Sequence, residues 1–292
     1  MMLLGRIIRF CSELKKRILV DVLQIEPSDV DESAPATNAR APSIRMVDLP
    51  KSLSMEDTPA IFAIGDIHGR YDLLYRMIEA VRADCIESAV DGPKPHVVFL
   101  GDYIDRGFQS KKVIDTLIEL QEQSDFETIF LKGNHEAVLL SFLDNPSVGE
   151  QWSNFGGRET LISYGVTPPR DLSDGEDWIR AQQELMQKIP PAHVEFLESL
   201  VTNYQLGPYG FVHAGVKSGV PFEEQSDEDR LWIRGEFLNA SRREDLFIIH
   251  GHSPVDAPYI DHRRINVDTG SYYSGRLTAV KLTASAAVFL TI

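Results

Sequence analysis

Cysteine is scarce in this chain: Cys11 and Cys85 are the only two in 292 residues, and neither sits in a CxxC pair or a Cys/His spacing. That excludes a disulfide framework, a structural zinc ribbon and an iron–sulfur cluster, and it makes a reducing cytoplasm the expected location. Positive charge is also short, with 29 Lys and Arg against 44 Asp and Glu and a formal net charge of −15. Such a surface repels polyanions, so nucleic acid is not an expected partner, and an anionic substrate needs a local cluster of cations. Long apolar runs are missing as well. The first residues are patchily apolar but interrupted by Arg6, Arg9, Glu13, Lys15, Lys16 and Arg17, which is too broken for a membrane span and lacks the layout of a secretory signal. Residues 1–25 are therefore expected to form a basic amphipathic helix. It is expected either to make a weak contact with a membrane surface or partner, or to pack on its own domain.

The 43% of hydrophobic residues in 292 suffices for one large domain with an appendage. Residues 26–58 carry scattered prolines, many acids and no sustained periodicity, and are expected to be an extended linker. From residue 59 to 292 the texture changes. Short apolar runs each end in a small polar cluster with glycine: Ala60–Ile64 before GDIHG, Val97–Leu100 before GDYIDRG, Thr128–Leu131 before KGNHE, Gly210–Val212 before His213-Ala214-Gly215, and Leu246–Ile249 before His250-Gly251-His252-Ser253. Continuous apolar runs of this length suit strands covered on both faces.

Helical periodicity fills the gaps, over Tyr71 to Arg82 and Lys111 to Leu120, so the fold class is α/β. In such sheets ligands bind beyond the carboxyl ends of the strands, where residues distant in sequence converge. The region 143–205 is more helical and irregular and is expected to cap the site. The tail, including Ile265–Asp268 and Leu277–Leu282, alternates around turns as an antiparallel meander does. The run Glu223 to Asp229 is strongly acidic and is read as a solvated loop.

Collected at the strand ends are Asp66, His68, Asp102, Asp105, Arg106, Asn134, His135, His213, His250 and His252, which include five of the eight histidines. A lone histidine is usually structural, but carboxylate, imidazole and amide together without thiolate suit Mn²⁺, Fe or Zn²⁺. GDYIDRG is the densest of these clusters, with two carboxylates and a guanidinium in one glycine-bounded turn that can serve metal and phosphate together. His96, His193 and His262 belong to no cluster and are read as ordinary histidines.

With GDIHG, GDxxDRG and GNHE all intact and followed by His-Ala-Gly and Gly-His-Ser, the sequence resembles the phosphoprotein phosphatase branch of the calcineurin-like metallophosphoesterases over about residues 60–282. The resemblance implies central mixed β-sheets sandwiched by helices, with a dinuclear metal site at the strand ends. By motif, it implies that Asp66 and His68 bind one metal, that Asp102 bridges two, and that Asn134, His213 and His252 complete the second site. The pair of divalent ions, Mn²⁺ first and Fe or Zn²⁺ as alternatives, activates hydroxide for in-line attack on phosphorus.

His135 matches the family's general acid and Asp105 its orienter. Arg106, Asn134 and Arg234 match groups that hold the substrate phosphate, and His250 is expected to support the site from behind. Residues Trp152 to Gly165 resemble a lid segment of bacterial members. The implied activity is phosphomonoester hydrolysis, with a serine/threonine protein phosphatase acting on phosphorylated protein or peptide as the main expectation. The alternatives are a diadenosine tetraphosphate hydrolase, a phosphotyrosine phosphatase, or a catalytically silent phosphate-binding scaffold.

Overall fold

A computed structural model describes residues 43–55, 59–88, 94–123, 126–170, 175–242 and 244–292. The expected N-terminal helix and the first part of the expected linker lie outside them. Among the described residues, eleven strands form two sheets. The first has six strands in the order β1 (Ser43–Asp48), β11 (Ala286–Thr291), β10 (Thr278–Leu282), β2 (Ile61–Ile64), β3 (His96–Phe99) and β4 (Glu127–Phe130). The second has five, in the order β5 (Asn203–Leu206), β6 (Tyr209–Val212), β7 (Phe247–His250), β9 (Arg264–Asn266) and β8 (Tyr259–Ile260).

Within the first sheet β2, β3 and β4 run parallel, and within the second β6, β7 and β9 do. The remaining strands pair antiparallel at the edges. Both sheets are thus mixed. Runs such as Ile61–Ile64 and Phe247–His250 are buried at every position, because each sheet is covered on both faces. One apolar core, with Ile61, Ala63, Val98, Phe211, Ile249, Ile265 and Val280, lies between the sheets. A larger core joins the other face of the first sheet, through Phe62, Ile64, Val97 and Phe99, to the helices Tyr71–Ser88 and Ser110–Glu122. A third, with Val212, Phe222, Phe237 and Ile248, covers the second sheet.

Three sequence expectations change. Ser43–Asp48, assigned to the linker, is β1, paired with β11 at six positions. Its half-buried residues Ile44 and Val47 are three apart, so no two-residue alternation announced a strand. The tail is not one meander: β9 joins the second sheet parallel to β7, whereas β10 and β11 form an antiparallel pair in the first. Region 143–205 is more than a cap. Trp152, Leu161, Trp178, Leu185, Phe196 and Leu197 belong to the same core as the helices on the first sheet, so it is an integral layer that also bounds the site.

The acidic run is ordered: Glu223 and Glu224 end the short 3-10 helix Phe222–Glu224, and Asp227 to Asp229 start the helix Asp227–Trp232, where Ser226 Oγ accepts from Asp229 N and Asp227 accepts from Thr202 Oγ1 and Arg230. Acids there complement the helix N-terminus. No helix among the described residues is long and apolar enough to cross a membrane.

Candidate dinuclear metal centre

All six parallel strands deliver a loop to one place. The sequence identified five of these loops. The sixth follows β9 and places Asp268, 2% exposed, beside the others. The loops are bonded to one another: Ile67 N and His68 N donate to Asp102 O at 3.0 and 2.9 Å, Gly251 N to His213 O at 2.8 Å, and Val267 N to His250 O at 3.1 Å. Non-glycine residues with positive φ among the described residues are His68, Asp102, Asp105, Arg106 and His252. Left-handed backbone costs a side-chain-bearing residue of order 1–2 kcal/mol. Here the cost falls only on residues that the loops must aim inward.

Asp102 lies at the centre. One oxygen is 3.4 Å from His213 Nε2 and the other 3.6 Å from His68 Nε2. Its backbone N–H and those of Tyr103 and Gly133 donate to the Glu136 carboxylate at 2.8–2.9 Å, which fixes the turn to the start of the helix Asn134–Asp144. Burial alone would raise the Asp102 pKa, but His213, His135 and His68 outweigh it and hold the group well below the usual carboxylate range. Burial, with Asp268 and Asp102 beside it, pushes Asp66 well up. Asp66 accepts from His252 N at 3.0 Å.

The imidazoles are oriented from behind. His68 Nδ1 is 2.9 Å from Ile104 O and His213 Nδ1 2.8 Å from Leu100 O. A ring that donates from Nδ1 turns the Nε2 lone pair into the site. The lone pair of His213 then meets Asn134 Oδ1 at 2.9 Å, Asp102 at 3.4 Å and His252 Nδ1 at 3.1 Å. A neutral His252 can donate from Nδ1, but Asn134 Oδ1 and the Asp102 carboxylate are acceptors and require a proton or a cation between them and the ring. Burial opposes a charge on His213, but Asp102 overrides it and raises the pKa. Burial and then His135 lower His68, and burial and then His213 lower His252 to about 2. Both are therefore neutral, as metal ligands must be. His252 Nε2 is buried with no hydrogen-bond partner.

Among the described residues, and with the expected ligand Asp66 in neither and the expected acid His135 in the first, two donor sets could hold a metal: His68, Asp102 and His135, and Asp102, His213 and His252. They share Asp102. The donors are oxygen and imidazole nitrogen without sulfur, which fits divalent metals of the Mn²⁺, Fe or Zn²⁺ type.

His135 Nδ1 is 2.6 Å from Asp105 Oδ2. Asp105 is fully buried and further held by Trp152 Nε1 at 2.8 Å and Thr160 Oγ1 at 2.6 Å. Burial depresses the His135 pKa, but Asp102 and Asp105 reverse this and leave it raised. Arg106 lies between the rings, with Nη1 3.1 Å from His68 Nε2 and Nη2 3.2 Å from His135 Nε2, and with its guanidinium 4.6 Å from the Tyr272 ring centre. Arg234 is exposed, and its charge helps to hold His252 down.

His250 points away from the donor groups. Its Nε2 accepts from Arg264 at 2.8 Å and its Nδ1 is 3.0 Å from Gly251 O. Buried His193 bonds Tyr164 and Asp115, and His96 bonds Tyr204, so neither ring is a spare ligand.

The structure adds Asp268 and Tyr272 to the residues expected, and it makes Trp152 and Thr160, expected in a lid segment, supports of Asp105. Asp268 had a signal, since Ile265-Asn266-Val267 followed by Asp-Thr-Gly repeats the pattern of the other five clusters. The other three touch the site only through the fold.

A donor cluster of this kind on two packed mixed sheets defines a metallophosphoesterase hydrolase. The chain belongs to the calcineurin-like phosphoesterase family, whose model matches residues 59–284. It is 28% identical to the asymmetrical bis(5'-nucleosyl)-tetraphosphatase PrpE of Halalkalibacterium halodurans, over 75% of this chain and 88% of that protein. It is 26% identical to the protein of that name from Anoxybacillus flavithermus, with the same coverage. A crystal structure of a candidate diadenosine tetraphosphatase superposes with a TM-score of 0.54 at 17% identity, covering 81% of this chain and 94% of that one, and shares the fold.

Proposed function

We propose that the chain is a metal-dependent hydrolase of dinucleoside polyphosphates. The observation that carries this reading is the match, across the catalytic region, to relatives named for hydrolysis of bis(5'-nucleosyl) tetraphosphates. It favours the dinucleotide alternative over the protein phosphatase expected from the motif trio. Asp66 and His68 on one side of Asp102, and Asn134, His213 and His252 on the other, would hold two divalent cations. When bound, these lower the pKa of a water and neutralise phosphate oxygens.

The other roles belong to the chain's own side chains. Arg106 presents a planar guanidinium matched to two phosphate oxygens, and Arg234 adds positive charge at the rim. A phosphate gripped by Arg106 lies next to His135, because the guanidinium is 3.2 Å from its Nε2. With Nδ1 tied to Asp105, Nε2 is the atom that would carry the transferable proton toward the leaving oxygen once a phosphate draws the Arg106 guanidinium off it. Asp102 and Asp105, which raise the His135 pKa against burial, favour the protonated ring.

The test is a parallel assay of the Mn²⁺-loaded full chain on diadenosine tetraphosphate and on phosphoserine, phosphothreonine and phosphotyrosine peptides. The expected kcat/KM for the dinucleotide exceeds that for every peptide by about tenfold or more, a margin of ~1.4 kcal/mol. A faster phosphopeptide overturns the proposal and restores the protein phosphatase reading.

A further inference from the structure

Beside Arg106 lies a cavity of about 410 Å³, lined by Arg106, Ser153, Asn154, Phe155, Gly156, Glu159 and Tyr272. It is formed where the Ser153–Gly157 turn meets the turn after β3, with Arg106 N donating to Gly156 O at 3.0 Å, and Tyr272 closes it from the loop after β9. Gly156, at φ 103°, reverses the chain there and leaves no side chain over Arg106. Two aromatic rings bound the space. Phe155 is 53% and Tyr272 38% exposed. Large aromatics left open to water beside a phosphate-binding arginine suit a flat, partly polar group covalently joined to phosphate.

We propose that this cavity seats a nucleobase of the substrate, stacked on Phe155 and bounded by Tyr272, with its edge met by Glu159 and Asn154. The inference rests on the dinucleotide reading and assigns its specificity residues. Tyr272 does double duty, since the ring that walls the cavity also carries Arg106 at 4.6 Å. Phe155 has no such link to the phosphate site and is the cleaner probe. The Glu159 carboxylate only accepts hydrogen bonds, so it favours an edge that presents an amino group, as adenine does, over the carbonyl edges of uracil.

Calorimetric titration of the Mn²⁺-loaded full chain with AMP, UMP and ribose 5-phosphate tests this without requiring turnover. The expected result is AMP binding about 10- to 100-fold tighter than ribose 5-phosphate, the range that stacking of one base supplies. Phe155→Ala should bring that ratio below about threefold and Phe155→Trp should keep it, while Glu159→Gln should narrow the AMP-to-UMP ratio. Equal binding of AMP and ribose 5-phosphate, or ratios unchanged by Phe155→Ala and Glu159→Gln, would overturn the base seat. If the ratios behave as expected but diadenosine tetraphosphate is not hydrolysed, the base seat stands and the substrate reading alone fails.

Discussion

At the scale of single residues, Asp105 shows how a buried carboxylate sets the behaviour of its neighbour. It takes hydrogen bonds from Trp152 and Thr160 and holds His135 Nδ1 at 2.6 Å. The His135 pKa is raised against the pull of burial by Asp102 and Asp105. In the proposed mechanism protonated His135 is the active form, so kcat is expected to fall as pH rises through that pKa. Asp105→Asn removes one of the two charges that raise it and should move the falling limb to lower pH. His135→Asn should cut kcat by about 10² or more, and metal content that stays unchanged would mark the ring as an acid rather than a ligand. A pH–rate profile with metal analysis checks both, and a falling limb that stays in place in Asp105→Asn would remove the orienting role.

The loops are the elements that matter most, and their glycines are the parts of the site most exposed to a single methyl group. A Cβ on Gly133 would overlap both Asp102 Oδ1 and Asp102 N. The backbone partner cannot rotate away, so Gly133→Ala should displace the carboxylate shared by the two donor sets. The expected result is metal affinity about 10- to 100-fold weaker, as when a ligand's supports are removed. Metal titration followed by calorimetry would detect it, and unchanged affinity would mean that the turn yields elsewhere.

The same loops explain what could be read from sequence. The ligating residue types stand next to glycine after apolar strands, so five of the six clusters were legible in one dimension. Asp268 obeys the same pattern after β9. Because its strand itself carries Arg264 and Asn266 and follows Arg263, the apolar run is short and was taken for part of a meander. Trp152, Thr160 and Tyr272 act across contacts of 47, 55 and more residues, which no local spacing encodes.

At the scale of the whole molecule, two sheets contribute three parallel strands each to one centre, and the antiparallel strands close the outer edges. Strand β1 closes the edge nearest to β2, through β11 and β10. It is joined to β11 from Ser43 to Asp48, buries parts of Ile44 and Val47, and sends Arg45 over the Phe289 ring at 5.5 Å and to Pro258 O at 3.0 Å. An uncovered β11 would present open backbone groups, the usual route to edge-to-edge association.

Partial burial of two aliphatic side chains together with the lost ladder amounts to about 2 kcal/mol. At 2–4 °C per kcal/mol for a domain of this size, that is a fall in Tm of about 4–8 °C. A chain beginning at residue 49 should therefore melt about that much lower than one beginning at residue 43, and should associate more readily at high concentration. Because the site loops lie at the far ends of β2, β3 and β4 and are bonded mainly to one another, the shorter chain should keep its metal affinity well below the melting range. Equal melting temperatures for the two chains would show that β1 contributes nothing to the sheet. A lower Tm accompanied by lost metal affinity would show that the edge and the centre form one cooperative unit.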